Sequence, residues 1–191
     1  MKGRSEGKPG RIGRSEILEF LELGSSRLNA DILADRMEED PEVFDIVWEI
    51  LMEDRYPVSM RAAWSISILA SRNPSRVQSR LPGIVAFLPS AASKGVKRSL
   101  LKILTMVPLP AEQTGFLFDF CFGIMESSSA EIAHKAYAMA ILYNISEQEP
   151  ALKPELISLF ETCLQEESSG IQARGRILLG RLHKDLSHPS A

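Results

Sequence analysis

Apolar residues along this chain return every three or four positions, and nowhere do they alternate for long enough to demand a strand. From Glu42 the positions Val43, Phe44, Ile46, Val47, Ile50 and Leu51 mark one helical face, and Asp54-Arg55-Tyr56-Pro57 breaks it. Val58 opens a second helix running to about Ser71, and Asn73-Pro74 ends it. The pattern resumes over 76–88 with Pro82-Gly83 inside. Proline suits the first turn of a helix and not its interior, so a short or kinked helix starting near Pro82 is predicted. Further helices are predicted over 95–107, 112–125, 131–145, 154–164 and 171 to about 186, with two shorter ones, 15–23 and 29–39, at the start. The aromatic run Phe116-Leu117-Phe118-Asp119-Phe120-Cys121-Phe122 is the one stretch that invites a strand reading. Its neighbours continue the helical spacing, so it is assigned to a helix.

The helices repeat. Val58, Val96, Ile132 and Ile171 take equivalent places, 38, 36 and 39 residues apart. Four residues on stand Ala62, Leu100, Ala136 and Gly175; eight on, Ile66, Leu104, Ala140 and Leu179; eleven on, Leu69, Val107, Tyr143 and Leu182. Those offsets draw one stripe down a helix of 3.6 residues per turn. A helix pair of this size cannot cover its own apolar face, and stacking such pairs buries one continuous core. The competing reading is a globular bundle of amphipathic helices.

The segment Asp54-Arg55-Tyr56-Pro57-Val58-Ser59-Met60-Arg61-Ala62-Ala63 resembles the turn and second-helix start of a HEAT repeat: an acid, then Pro-Val, an arginine three further on, then alanine. Later units match less well. Gly95-Val96 lacks the proline and has Ser99 where Arg61 stands, whereas Lys135 and Arg174 keep the base. Over roughly 41–186 the chain resembles HEAT/armadillo-like repeats, and is similar to small bacterial members of the DNA-alkylation-repair-like repeat superfamily. The resemblance implies an all-α fold, a right-handed α–α superhelix whose second helices line a concave partner-binding surface. It implies little about activity.

Composition sharpens this picture in a few places. Residues 1–14 hold five bases, one acid, four glycines and a proline, leaving −7 on the other 177 residues. The expected organisation is a disordered basic tail, 1–14, ahead of a helical-repeat domain, 15–191. The tail lacks the apolar core of a secretory signal, and no stretch is apolar enough to cross a membrane, so a cytoplasmic protein is expected. Cys121 and Cys163 sit in apolar helical patterns and read as buried thiols.

No catalytic constellation is legible. His134, His183 and His188 match no zinc spacing with the cysteines, no phosphate-binding glycine loop is present, and no cofactor is expected. His134 reads as a partly exposed helix residue. Asp119, between two phenylalanines, is either a polar-face residue or a partly buried functional group.

The bases are more informative. Arg61, Lys135 and Arg174 stand three residues past the stripe origin, and Arg98, Lys102, Arg176 and Arg181 share the same helices. They form either a ladder of ion pairs, with Asp54 the expected partner of Arg61, or an open surface for an anionic ligand. Trp64 and Ile68, with Lys102 and Met106, then Ala138 and Leu142, then Ile177 and Arg181, form a second column. It either packs against the first helices or lines a recognition groove. The candidate partner-binding residues are therefore Arg61, Trp64, Arg98, Lys102, Lys135, Arg174 and Arg181. The expected function is a non-catalytic repeat module that binds a protein partner or itself. The alternative is a nucleic-acid-binding or DNA-repair-related repeat protein, for which the tail would supply weak, salt-sensitive contact.

Overall fold

The computed structural model describes residues 12–166 and 169–187. These form ten α-helices and no strand. They are α1 (Arg14–Glu22), α2 (Arg27–Glu39), α3 (Pro41–Met52), α4 (Val58–Arg72), α5 (Leu81–Phe87), α6 (Lys94–Leu104), α7 (Thr114–Glu126), α8 (Ile132–Gln148), α9 (Lys153–Glu166) and α10 (Ser169–Ser187).

Local chemistry sets the boundaries. Ser26 Oγ accepts the Asn29 N–H at 3.0 Å to start α2, and Asp40 Oδ1 accepts the Glu42 N–H at 2.9 Å ahead of Pro41 to start α3. The interrupted stretch around Pro82 resolves into a 3₁₀ segment, Pro74–Arg80, followed by the seven-residue α5 with its proline in the first turn. Residues 1–11 of the expected tail lie outside the described residues. Arg14 is the first residue of α1, and it pairs with Glu49 and Glu53 of the next repeat.

The helices stack in two rows. The even-numbered helices form the spine: α2 packs on α4, α4 on α6, α6 on α8, and α8 on α10. The odd-numbered ones lie against it, α3 on α4, α7 on α8 and α9 on α10, while α1 leans on α3 and α4. Stripe residues of three repeats are fully enclosed, among them Ala62, Ile66, Leu69, Leu100, Leu104, Ile171 and Leu182. Polar contacts between distant residues keep the same period. Arg72 binds Asp31, 41 residues away; Arg76 binds the Met37 carbonyl, 39 away; the Ala92 N–H binds Asp54, 38 away; Asn144 binds the Thr105 carbonyl, also 39 away. Each repeat thus bonds to its neighbour, as a stacked array requires.

The third stripe has a different register from the one the sequence suggested. Ile132 is 54% exposed, and Ala136 and Tyr143 are half-buried. The enclosed rows of α8 are His134, Ala138, Ile141 and Ile145, and beside it Lys135, Met139, Leu142 and Ser146. Helix α8 is apolar nearly all round because α6, α7, α9 and α10 all pack on it. Periodicity in such a helix cannot say which face turns inward.

Candidate functional site

Charge is sorted by repeat, a signal in the sequence that the stripe comparison passed over. Residues 15–54 hold 13 acids and two bases; 55–111 hold nine bases and no acid; 112–191 hold eleven acids and six bases. The fold uses the first boundary. Bases of the acid-free stretch reach back onto the preceding acidic repeat: Arg72 binds Asp31 at 2.6 Å and Asp35 at 2.5 Å, and Arg80 binds Asp45 while lying over the Phe44 and Trp48 rings.

The second boundary is largely unused. Helix α6 carries Lys94, Lys97, Arg98 and Lys102 without an acid. Lys94 meets Glu131 at 2.9 Å, but Lys97, Arg98 and Lys102 make no ion pair or side-chain hydrogen bond with any described residue. Buried Val96, Leu100 and Leu104 point inward, which by helical geometry sends Arg98, Lys102 and Thr105 out on the opposite side.

On α4 the half-buried Met60 and Trp64 occupy the same two places, 38 residues earlier. The two helices meet closely here, because a Cβ on Gly95 would lie 2.5 Å from Met60 Cγ. Only glycine leaves room for that methionine. The result is a surface on which Trp64 and Met60 lie beside Arg98 and Lys102. The Lys102 pKa is lowered, first by burial and then by the positive charges of Arg27 and Arg98.

The other expected site residues lie apart from this surface. Arg61 is turned to α1: Nε donates to Ser25 Oγ at 2.8 Å, and its terminal nitrogen donates to the Leu21 carbonyl at 2.6 Å and the Glu22 carbonyl at 3.3 Å. It closes the C-terminus of that helix, where a cation is favourable. Asp54, expected as its partner, instead accepts the Ala92 N–H and ties two turns together. Lys135 is only 5% exposed and faces the odd-numbered row, at the floor of a groove between α7 and α9. Arg181 lies over the Tyr143 ring at 5.9 Å. Arg174 is exposed on α10, two spine helices beyond α6. Of the second column, Ile68, Ala138 and Leu142 are core, Trp64 is half-buried and Ile177 is exposed.

His134 differs from its expected exposure. It is 6% exposed, with Nε2 2.9 Å from the Lys94 carbonyl, and so joins α8 to α6. His183 is exposed 3.8 Å from Glu161, and His188 lies outside the described residues. Both cysteines are buried and unbridged, as expected, and burial pushes the Cys121 thiol up to about 12. Among the described residues no three His, Cys, Asp or Glu side chains gather as a metal site, and no helix is long and apolar enough to cross a membrane.

The sequence profile of the HEAT repeat domain matches residues 18–181. The chain belongs to the HEAT-repeat family. No curated protein and no solved structure matches it. Within this HEAT array Trp48 is a core residue stacked under Arg80, and Asp119 sits on α7 of the odd-numbered row, in a hollow it shares with Lys97 of α6.

Proposed function

We propose that this HEAT array is a non-catalytic scaffold whose α4–α6 surface takes an acidic segment of a partner protein. Arg98 and Lys102 meet the carboxylates of that segment, and Trp64 and Met60 supply apolar contact beside them. The observation that carries the reading is the unmet charge of α6. Where the acid-free stretch faces the preceding repeat its bases pair with acids, and on this face Arg98 and Lys102 form no ion pair with any described residue. Gathering two cations, Arg27 and Arg98, about the half-buried Lys102 is unfavourable in the isolated molecule, and an incoming anion reverses the sign of that interaction. An aromatic residue beside arginine is a common interface composition.

The nucleic-acid and DNA-repair alternative has less support. The cationic patch spans one helix of a protein whose net charge is −3, and phosphate backbones bind through many such contacts. A repair site would also join an acid to the aromatics and bases. Asp119 shares a hollow with Lys97 and Phe120 and not with Trp64, Arg98 or Lys102, and Trp48 is enclosed.

The test is fluorescence anisotropy with a labelled acidic, leucine-containing peptide and the full chain at physiological salt. Arg98→Glu with Lys102→Glu is expected to weaken binding at least tenfold, corresponding to about 1.4 kcal/mol. Lys184→Glu, an exposed base elsewhere, leaves it within twofold. Equal losses for both variants, or tighter binding of duplex DNA than of the peptide by the wild-type chain, would refute the reading.

A further inference from the structure

Helix α7 departs from the pattern of the outer helices α3 and α9. On α3 the outward positions are Glu42, Asp45 and Glu49, and Asp45 and Glu49 are paired to Arg80 and Arg14. On α9 they are Glu155, Ser158, Glu161 and Thr162. On α7 only Leu117, Cys121 and Met125 are buried, although the helix is apolar nearly all round. Directly opposite them runs a ridge of Gly115, Asp119, Gly123 and Glu126. Aromatics flank it on both sides: Phe116 and Phe120, stacked at 6.2 Å, with Phe116 48% exposed, and Phe118 and Phe122 at 5.8 Å.

A hollow lies along each flank. One, of about 410 Å³, is lined by Phe120, Ile124, Asp119, Lys97 and His134. The other, of about 660 Å³, runs between α7 and α9, lined by Phe122, Leu159, Glu126 and Glu155 over the buried Lys135. A helix this apolar on an outer row is ordinarily covered. The acids at the surface, Asp119, Glu126 and Glu155, make no ion pair with any described residue.

We infer that the outer face of α7, with the groove it shares with α9, docks a basic amphipathic helix of a partner protein. The occupant's apolar stripe covers the phenylalanines, and its lysines or arginines meet Asp119, Glu126 and Glu155. Charge selects this occupant. Three acids against the one surface lysine, Lys97, leave the rim net negative, which repels nucleic acid and anionic membrane alike, and a second α7 would bring like charges together. Phe116 to Ile124 spans about 12 Å along the helix, room for two to three turns of a partner. This site is distinct from the α4–α6 surface and opposite to it in sign, so the array would hold an acidic segment on one row and a basic one on the other.

The probe is a fluorescein-labelled amphipathic peptide of leucine and lysine at physiological salt, with a scrambled peptide of equal composition beside it. The wild-type chain is expected to prefer the amphipathic order at least tenfold. Asp119→Lys with Glu126→Lys, and separately Phe116→Ser with Phe120→Ser, are each expected to weaken that binding at least tenfold. The phenylalanine pair should leave acidic-peptide binding to α6 unchanged, so the two surfaces stand or fall separately. Circular dichroism verifies that the variants remain folded, and the charge variants alter only exposed positions. Equal affinity for the scrambled peptide would overturn the inference, as would binding indifferent to both double variants. So would a dimer in sedimentation velocity that Phe116→Ser with Phe120→Ser dissolves, since a second copy would then be the occupant.

Discussion

Shortening Leu100 to alanine lowers the unfolding free energy by about 3 kcal/mol, the ordinary cost of a fully enclosed leucine whose space does not collapse. Leu100 has no solvent exposure and lies on α6, which packs against α4 before it and α8 after it. A void there is shared by three spine helices and cannot be filled by moving one of them. In urea, with a slope near 2 kcal/mol per molar for a domain of this size, the midpoint is expected to fall by about 1.5 M. A loss below about 1 kcal/mol would mean that the site relaxes freely, and that neighbouring repeats do not clamp α6 as described.

The second large effect is local. Phe160 of α9 is fully buried, and its truncation to alanine costs about 3–5 kcal/mol. In a stacked array each repeat leans only on its neighbours, so damage in the last helix pair stays there. Amide exchange in α9 and α10 is expected to accelerate at least a hundredfold, which is the rate equivalent of about 3 kcal/mol. Amides in α3 and α4 should change less than twofold. Uniform acceleration across all helices would identify one cooperative globule in place of an array.

The sequence disclosed the fold wherever a helix has one wet side. Asn73-Pro74 and Pro82 marked true boundaries, and the stripes of α4, α6 and α10 fell on enclosed residues. It misled at α8, where apolar residues face every direction and only the four packing helices decide which turn inward. The same error moved Lys135 from an expected surface ladder to the floor of a groove, and left His134 looking exposed when its ring bridges two repeats.

For the candidate site the balance differs. Arg98 and Lys102 were found by position, but the reason they stand out, a 57-residue stretch without an acid, is compositional and was legible from the start. What no pattern could supply was the destination of each base. Arg61 serves two backbone carbonyls at the end of α1, some 40 residues away, and a sequence pattern does not register carbonyls as partners.

Distances between spin labels on Leu28 of α2, Arg98 of α6 and Ile177 of α10, all exposed, test most directly whether the spine is a row. With about 10 Å per helix step, the account predicts about 20 Å between the first two and well over 30 Å between the first and last. Similar values for both pairs, as helices gathered about one centre would give, would contradict it.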